Sequence, residues 1–256
     1  MESLRYAALG LVQGLTEFLP VSSSGHLVLA QQYLGIDAPG IVVEVALHAA
    51  TALAILIYFR RRLKTIFTAA AGGTRGWLRF VALVVVASLP AAVVGLAFES
   101  RIELLFESTR VVAVALLFTG GVLAASSLVR RGDGRLAEMG FAAALAVGAA
   151  QALAIAPGVS RSGMTIVAGL LVGLAGAEAA TFSFLLSVPA ILGAAALEAT
   201  KTRGFQGDWV GLALAFGIAF VAGLAAIYIV LALVRGRGFG WFGAYCAALG
   251  LLALLI

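Results

Sequence analysis

Two short stretches decide how this chain folds: Leu19-Pro20-Val21-Ser22-Ser23-Ser24-Gly25 and Ala156-Pro157-Gly158-Val159-Ser160-Arg161-Ser162-Gly163. Each interrupts an apolar region, residues 6–34 and 140–174, that is otherwise ready to form helix. Proline and glycine end the first half-helix, and the serines are good N-caps for a second one. Non-helical backbone survives at membrane depth only when it is buried in protein or lines a wet cavity. Two re-entrant helix pairs are therefore expected, one in each half of the chain.

The setting of these breaks is lipid. Of 256 residues, 62% are apolar and only 11% are charged, and the mean hydropathy is +1.10. A soluble domain carries about 25% charged residues, so a water-soluble globule is excluded. Glycine supplies 31 residues, which suits close packing of helices in a membrane. The formal charge of +5 does not point to nucleic acid, because the basic residues sit in short loops beside apolar runs. The lone Cys246 allows no intrachain disulfide, and the first residues show no cleavable signal pattern.

Six further apolar runs, at about 41–59, 77–98, 111–129, 182–197, 209–234 and 238–256, are each long enough to cross a hydrocarbon core. The expected fold is an all-α polytopic membrane protein of six spanning helices plus two re-entrant pairs. A shift of 138 residues lays Gln13, Leu15, Val21, Ser22, Ser24, Gly25 and Ala30 on Gln151, Leu153, Val159, Ser160, Ser162, Gly163 and Ala168. An ungapped run that keeps both breaks in register reads as an internal repeat. The chain is thus one membrane domain over 1–256, with repeats at 1–130 and 139–256. Three spans follow each re-entrant pair; three is odd, so the second repeat enters from the opposite face and the repeat is inverted. Arg60, Arg61, Arg62, Lys64, Arg75, Arg79, Arg130, Arg131, Arg135, Arg235 and Arg237 collect on one face, against Arg5, Arg101, Arg110, Lys201 and Arg203 on the other. The positive-inside rule puts the first face in the cytoplasm.

Chemistry concentrates in the breaks. Gln13 and Glu17 are four apart on one helix face, one turn before the first break, and His26 follows it. The second break supplies Ser160, Arg161, Ser162 and Thr165. An arginine and an acid at this depth are expensive in lipid and are functional candidates by default, although a structural ion pair is the bland alternative. A guanidinium binds phosphate oxygens bidentately, and the hydroxyls of Ser22, Ser24, Ser160, Ser162 and Thr165, with half-helix N-terminal amides, donate to the rest. Glu17 is suited to hold a divalent cation, magnesium or calcium, with Gln13 as a neutral oxygen ligand. His26 or a nearby serine such as Ser23 is suited to act as nucleophile or proton carrier.

These segments resemble the two signature motifs of the undecaprenyl-pyrophosphate phosphatase family, also known for bacitracin resistance. The first motif runs from an acidic residue or Gln through Glu into a Ser-rich stretch ending Gly-His, and the second reads Pro-Gly-x-Ser-Arg-Ser-Gly-x-Thr. The resemblance covers motif, order, spacing and total length. It implies a polyprenyl pyrophosphate lipid substrate, release of inorganic phosphate, recycling of the lipid carrier for cell-wall synthesis, divalent-cation dependence and a site in the plasma or inner membrane that opens to the outer face. It implies a site at Glu17, Ser23, His26, Ser160, Arg161 and Thr165. Gln13 stands where many members carry Glu, which leaves Glu17 as the main metal carboxylate. A homodimer is a further expectation, and no nucleic-acid partner is expected.

Other features carry blander readings. Glu44 and His48 share a helix face, which reads as a packed or pore-facing pair ahead of a metal site. Arg60-Arg61-Arg62-Leu63-Lys64 reads as a topology anchor with contact to anionic lipid head groups. Trp77, Trp209 and Trp241 read as interfacial anchors, and Pro90 and Pro189 as kinks within spans. The competing function is a transporter or flippase of polyprenyl phosphate lipids, since inverted repeats with broken helices are the usual transporter architecture. A lipid phosphatase of the histidine type fails for want of a second suitable His, as His48 is the only other one.

Overall fold

The computed structural model describes residues 2–34, 40–68, 75–129, 132–201, 208–236 and 238–255. Arg130, Arg131, Arg203 and Arg237, four of the charges in the topology argument, lie outside the described residues. The fold is all helix: α1 (Glu2–Thr16), α2 (Ser23–Leu34), α3 (Gly40–Thr68), α4 (Arg75–Ala97), α5 (Glu99–Phe106), α6 (Thr109–Ala125), α7 (Phe141–Leu153), α8 (Arg161–Leu171), α9 (Gly176–Lys201), α10 (Trp209–Arg235) and α11 (Trp241–Leu255). Six helices are long and apolar enough to cross a membrane: Val42–Thr68, Gly76–Ala97, Thr109–Leu128, Gly176–Ala196, Trp209–Arg235 and Gly238–Leu255. They correspond to the six expected runs, and the protein is multi-pass.

Two boundaries differ from the hydropathy reading. Residues 60–64 lie inside α3 and not in a loop. Arginine and lysine are good helix formers, so the helix continues for two turns after its apolar face has ended. Helix α9 starts at Gly176, before the apolar run at 182, because Ala177, Ala179 and Ala180 extend it. Pro90 and Pro189 lie inside α4 and α9 as expected.

The helices pack as backbones that approach closely. Gly10 and Gly14 of α1 seat against Ala215 and Ala219 of α10, and Gly148 of α7 seats against Ala87 of α4. Small residues spaced by four allow this contact in lipid, where apolar burial alone gives little drive. Around the site the core is aromatic: Phe18, at the start of the first break, meets Phe184 of α9 edge-on, with centroids 5.4 Å apart. Large side chains on α4 and α10, including Leu89, Val93 and Tyr228, are exposed, as the lipid-facing surface of a membrane bundle requires.

Candidate active site at the meeting of two helix breaks

Helix α1 ends at Thr16, residues 17–21 turn, and α2 starts at Ser23. Helix α7 ends at Leu153 and α8 starts at Arg161. The same cap rebuilds the helix in both places. Ser22 Oγ accepts from Gly25 N at 3.2 Å, and Ser160 Oγ accepts from Gly163 N at 3.1 Å. Ser22 and Ser24 hydroxyls lie 3.3 Å apart, Ser160 and Ser162 hydroxyls 3.2 Å. These pairs are the ones matched by the shift of 138. The breaks also touch: a Cβ built on Gly25 would stand 3.1 Å from the Gly158 Cα, tighter than most side-chain contacts, so glycine suits the approach. Gly158 itself has φ +91, the left-handed region that glycine enters freely.

Across this contact Arg161 Nη2 donates to Glu17 Oε1 at 2.5 Å. The other carboxylate oxygen, Oε2, accepts from Gln13 Nε2 at 3.0 Å and from Ser23 Oγ at 2.9 Å. Glu17 is buried, so this shell of donors is what permits a charge there. A cavity of about 310 Å³ opens over the pair, and Glu17, Ser22, Ser23, Ser24, Ser160, Arg161 and Ser162 all line it. Its remaining wall is largely apolar, from Phe106, Ala154, Ile155, Ala190, Ile191 and Ala194. The first turns of α2 and α8 both face this space, so their N-terminal partial charges favour an anion.

Three expected residues take other places. Gln13 is fully buried behind Glu17, and its Oε1 has no hydrogen-bond partner among the described residues. Thr165 donates to the Arg161 carbonyl at 2.7 Å and pairs with Ser183 Oγ at 2.6 Å, so it holds α8 to α9. His26 is not among the residues that line the cavity. Its Nδ1–H donates to Ser22 O at 2.8 Å, and Tyr245 of α11 donates to Nε2 at 2.6 Å.

The residue that sequence reasoning missed is His48. It lines the cavity from α3, with Nε2 3.9 Å from Glu17 Oε2. Its Nδ1–H donates to the Glu44 main-chain carbonyl at 2.9 Å. The Glu44–His48 pair was therefore noticed for its spacing, whereas the relevant partner of His48 is Glu17. Among the described residues no group of three or more His, Cys, Asp or Glu gathers to hold a metal.

Fold and site together define a polytopic helical membrane protein whose polar centre is built from two broken helix pairs and is suited to a phosphate-bearing ligand. The family model of bacitracin resistance protein BacA matches residues 6–252. This chain belongs to that family. Among similar proteins, the undecaprenyl-diphosphatase of Rubrobacter xylanophilus is 42% identical over 271 residues, covering 100% of this chain and 99% of the relative. That of Syntrophotalea carbinolica is 38% identical over 255 residues, covering 98% and 97%. That of Methanobrevibacter smithii is 38% identical over 272 residues, covering 100% and 98%.

Proposed function

We propose that this chain is a membrane phosphatase that hydrolyses undecaprenyl (C55 polyprenyl) pyrophosphate to the monophosphate and inorganic phosphate, recycling the lipid carrier of cell-wall synthesis. The observation that carries this reading is the Glu17–Arg161 pair, 144 residues apart in sequence and joined in one cavity with serines from both caps. Family membership and the names of the relatives support it. The pyrophosphate occupies the polar side of the cavity, and the prenyl tail leaves along Phe106, Ile155, Ala190 and Ala194.

Ser23 is the nucleophile in this reading, because its hydroxyl already donates to a carboxylate. Arg161 exchanges Glu17 for the incoming phosphate, to which it offers two parallel donors. Ser23 Oγ bonds to the terminal phosphorus while its proton passes to Glu17. The bridging P–O bond breaks, and its electron pair leaves with polyprenyl phosphate. Glu17 passes that proton to the departing polyprenyl phosphate and is a carboxylate again; water then attacks the phosphoserine, Glu17 takes a proton of the water and returns it to Ser23 as inorganic phosphate departs. His26 acts as a positioning residue that ties the α2 cap to α11.

Glu17 would hold a divalent cation, magnesium or calcium. The unpartnered Gln13 Oε1, buried beside the carboxylate, fits a neutral ligand. When bound, the ion supplies charge neutralisation for the pyrophosphate.

In the same reading residues 1–130 and 139–256 form an inverted repeat. The matched caps support it, as does the packing of α1 on α10 and of α7 on α4. The cavity opens to the outer face, and Arg60, Arg61, Arg62, Lys64 and Arg79 mark the cytoplasmic end. Purified protein in detergent, given farnesyl or undecaprenyl pyrophosphate with and without chelator, tests the function. Chelator-sensitive phosphate release is expected. Absence of hydrolysis, together with movement of polyprenyl phosphate across sealed vesicles, would replace the phosphatase by a flippase.

A further inference from the structure

A second cavity, also of about 310 Å³, lies between α3, α4 and the turn at residues 135–137. Arg62, Arg79 and Arg135 line it over an apolar floor that includes Ile66, Phe80 and Leu83. Fourteen residues of α3 separate His48, on the first cavity, from Arg62, on the second. At 1.5 Å per residue the two are about 21 Å apart, some two thirds of the roughly 30 Å thickness of a hydrocarbon core.

The charge here is only partly compensated. Arg62 Nη2 donates to both carboxylate oxygens of Glu178, at 2.9 and 2.7 Å, and Glu178 also accepts from Leu136 N. Arg79 directs its fork at the main-chain carbonyls of Ala137 and Met139, neutral acceptors that orient the guanidinium without cancelling its charge. Arg135 is exposed, and its side chain has no hydrogen bond or ion pair to any described residue. Among the described residues no acidic side chain lines the cavity. Two positive charges thus converge, beyond the Arg62–Glu178 pair, on a concave recess whose low-dielectric walls focus the field.

The geometry points to a binding site for the phosphate head group of an anionic membrane lipid, separate from the cavity between the breaks. Guanidinium forks match phosphate oxygens, and basic recesses between membrane helices suit such head groups. The site stands apart from catalysis, so its presence does not depend on the phosphatase reading.

The test uses the full chain in phosphatidylcholine nanodiscs, with a fluorophore on Ala137→Cys, an exposed residue of the cavity; Cys246 is buried and stays in place. Spin-labelled phosphatidylglycerol is expected to quench the fluorophore more strongly than spin-labelled phosphatidylcholine at equal mole fraction. Arg135→Gln should weaken that preference about fivefold, the effect of one basic residue near a membrane surface. Millimolar inorganic phosphate should leave the quenching in place. Equal quenching by the two lipids, or a preference unchanged in Arg135→Gln, overturns the proposal. Displacement by phosphate assigns the recess to a free anion and overturns it as well. Phosphate release by Arg135→Gln in detergent should match wild type, which separates loss of this site from loss of the fold.

Discussion

The two helix breaks share a scaffold and divide the chemistry. Ser22 and Ser160 cap their helices through equivalent bonds, and each keeps a second serine two residues on. At the register position of Ser23 stands Arg161, and at that of Glu17 stands Ile155, part of the apolar wall. Acid and hydroxyl come from one break, the cation from the other. A duplicated cap can place two anion-binding helix ends opposite each other. It cannot supply a base and a clamp from the same residue, so under the proposed repeat and chemistry the two breaks differ where they would meet the ligand. The backbones also differ. The first break takes its left-handed residue at Ser22, φ +67, and the second at Gly158, φ +91.

The largest expected effects attack this division of labour. Ser23→Ala should lose at least about 10³-fold in turnover, as removal of a nucleophile does, while Ser24→Ala and His26→Ala keep a tenth or more. A trapped phospho-enzyme should be acid-stable and base-labile; acid-labile phosphate would move the nucleophile to His26. Next comes Arg161→Lys, which keeps the charge and loses the fork. It should insert normally and lose on the order of 2–4 kcal/mol of transition-state stabilisation, about 30- to 1000-fold in rate. Near-normal turnover in Arg161→Ala would sink the placement of the active site.

Smaller effects test the scaffold. Gly158→Ala forces a side chain into the left-handed region and against the Val112 carbonyl. It should lower stability by about 1–3 kcal/mol. Ser22→Gly relieves similar strain while giving up a cap of about 1 kcal/mol, so its stability should hardly change. Thermal unfolding in detergent reads both, and equal losses would show that the left-handed positions are equivalent after all. The matched glutamines should diverge the most gently. Gln151 has neither side-chain polar atom paired among the described residues, and Gln151→Leu should leave turnover intact and raise the melting temperature by relieving about 1 kcal/mol or more. Gln13→Leu removes a donor to Glu17 and should reduce turnover about tenfold with some loss of stability.

Much of this was legible in the residues. Apolar runs and Pro-Gly-Ser breaks are local signals, and they located six spans and both half-helix starts. The convergence of Glu17 with Arg161 followed from the expense of burying either alone. What could not be read was which neighbours tertiary packing would bring. His48 reaches Glu17 only because α3 packs against α1, α9 and α10, and no spacing within α3 announces that. Ala190 and Ala194 look like ordinary packing residues of a span until the cavity gives them a face. His26 shares a motif with Ser23, yet a bond to Tyr245, 219 residues away, turns its ring to another partner. The end of α3 was misplaced for a different reason: hydropathy stops at the membrane edge, while helix propensity does not.

The long reach of the Glu17–Arg161 pair also bears on the order in which the chain is made. Glu17 leaves the ribosome 144 residues before its counter-charge, and α1 does so some 200 residues before α10, against which it seats. In that interval the first helix pair holds a carboxylate with no cation to answer it and a glycine face with nothing to fill it. A lone charge in lipid is costly, so α1, made before α8 and α10, is among the last helices to settle. Insertion and assembly therefore run in different orders, and the polar centre closes only when the second break arrives.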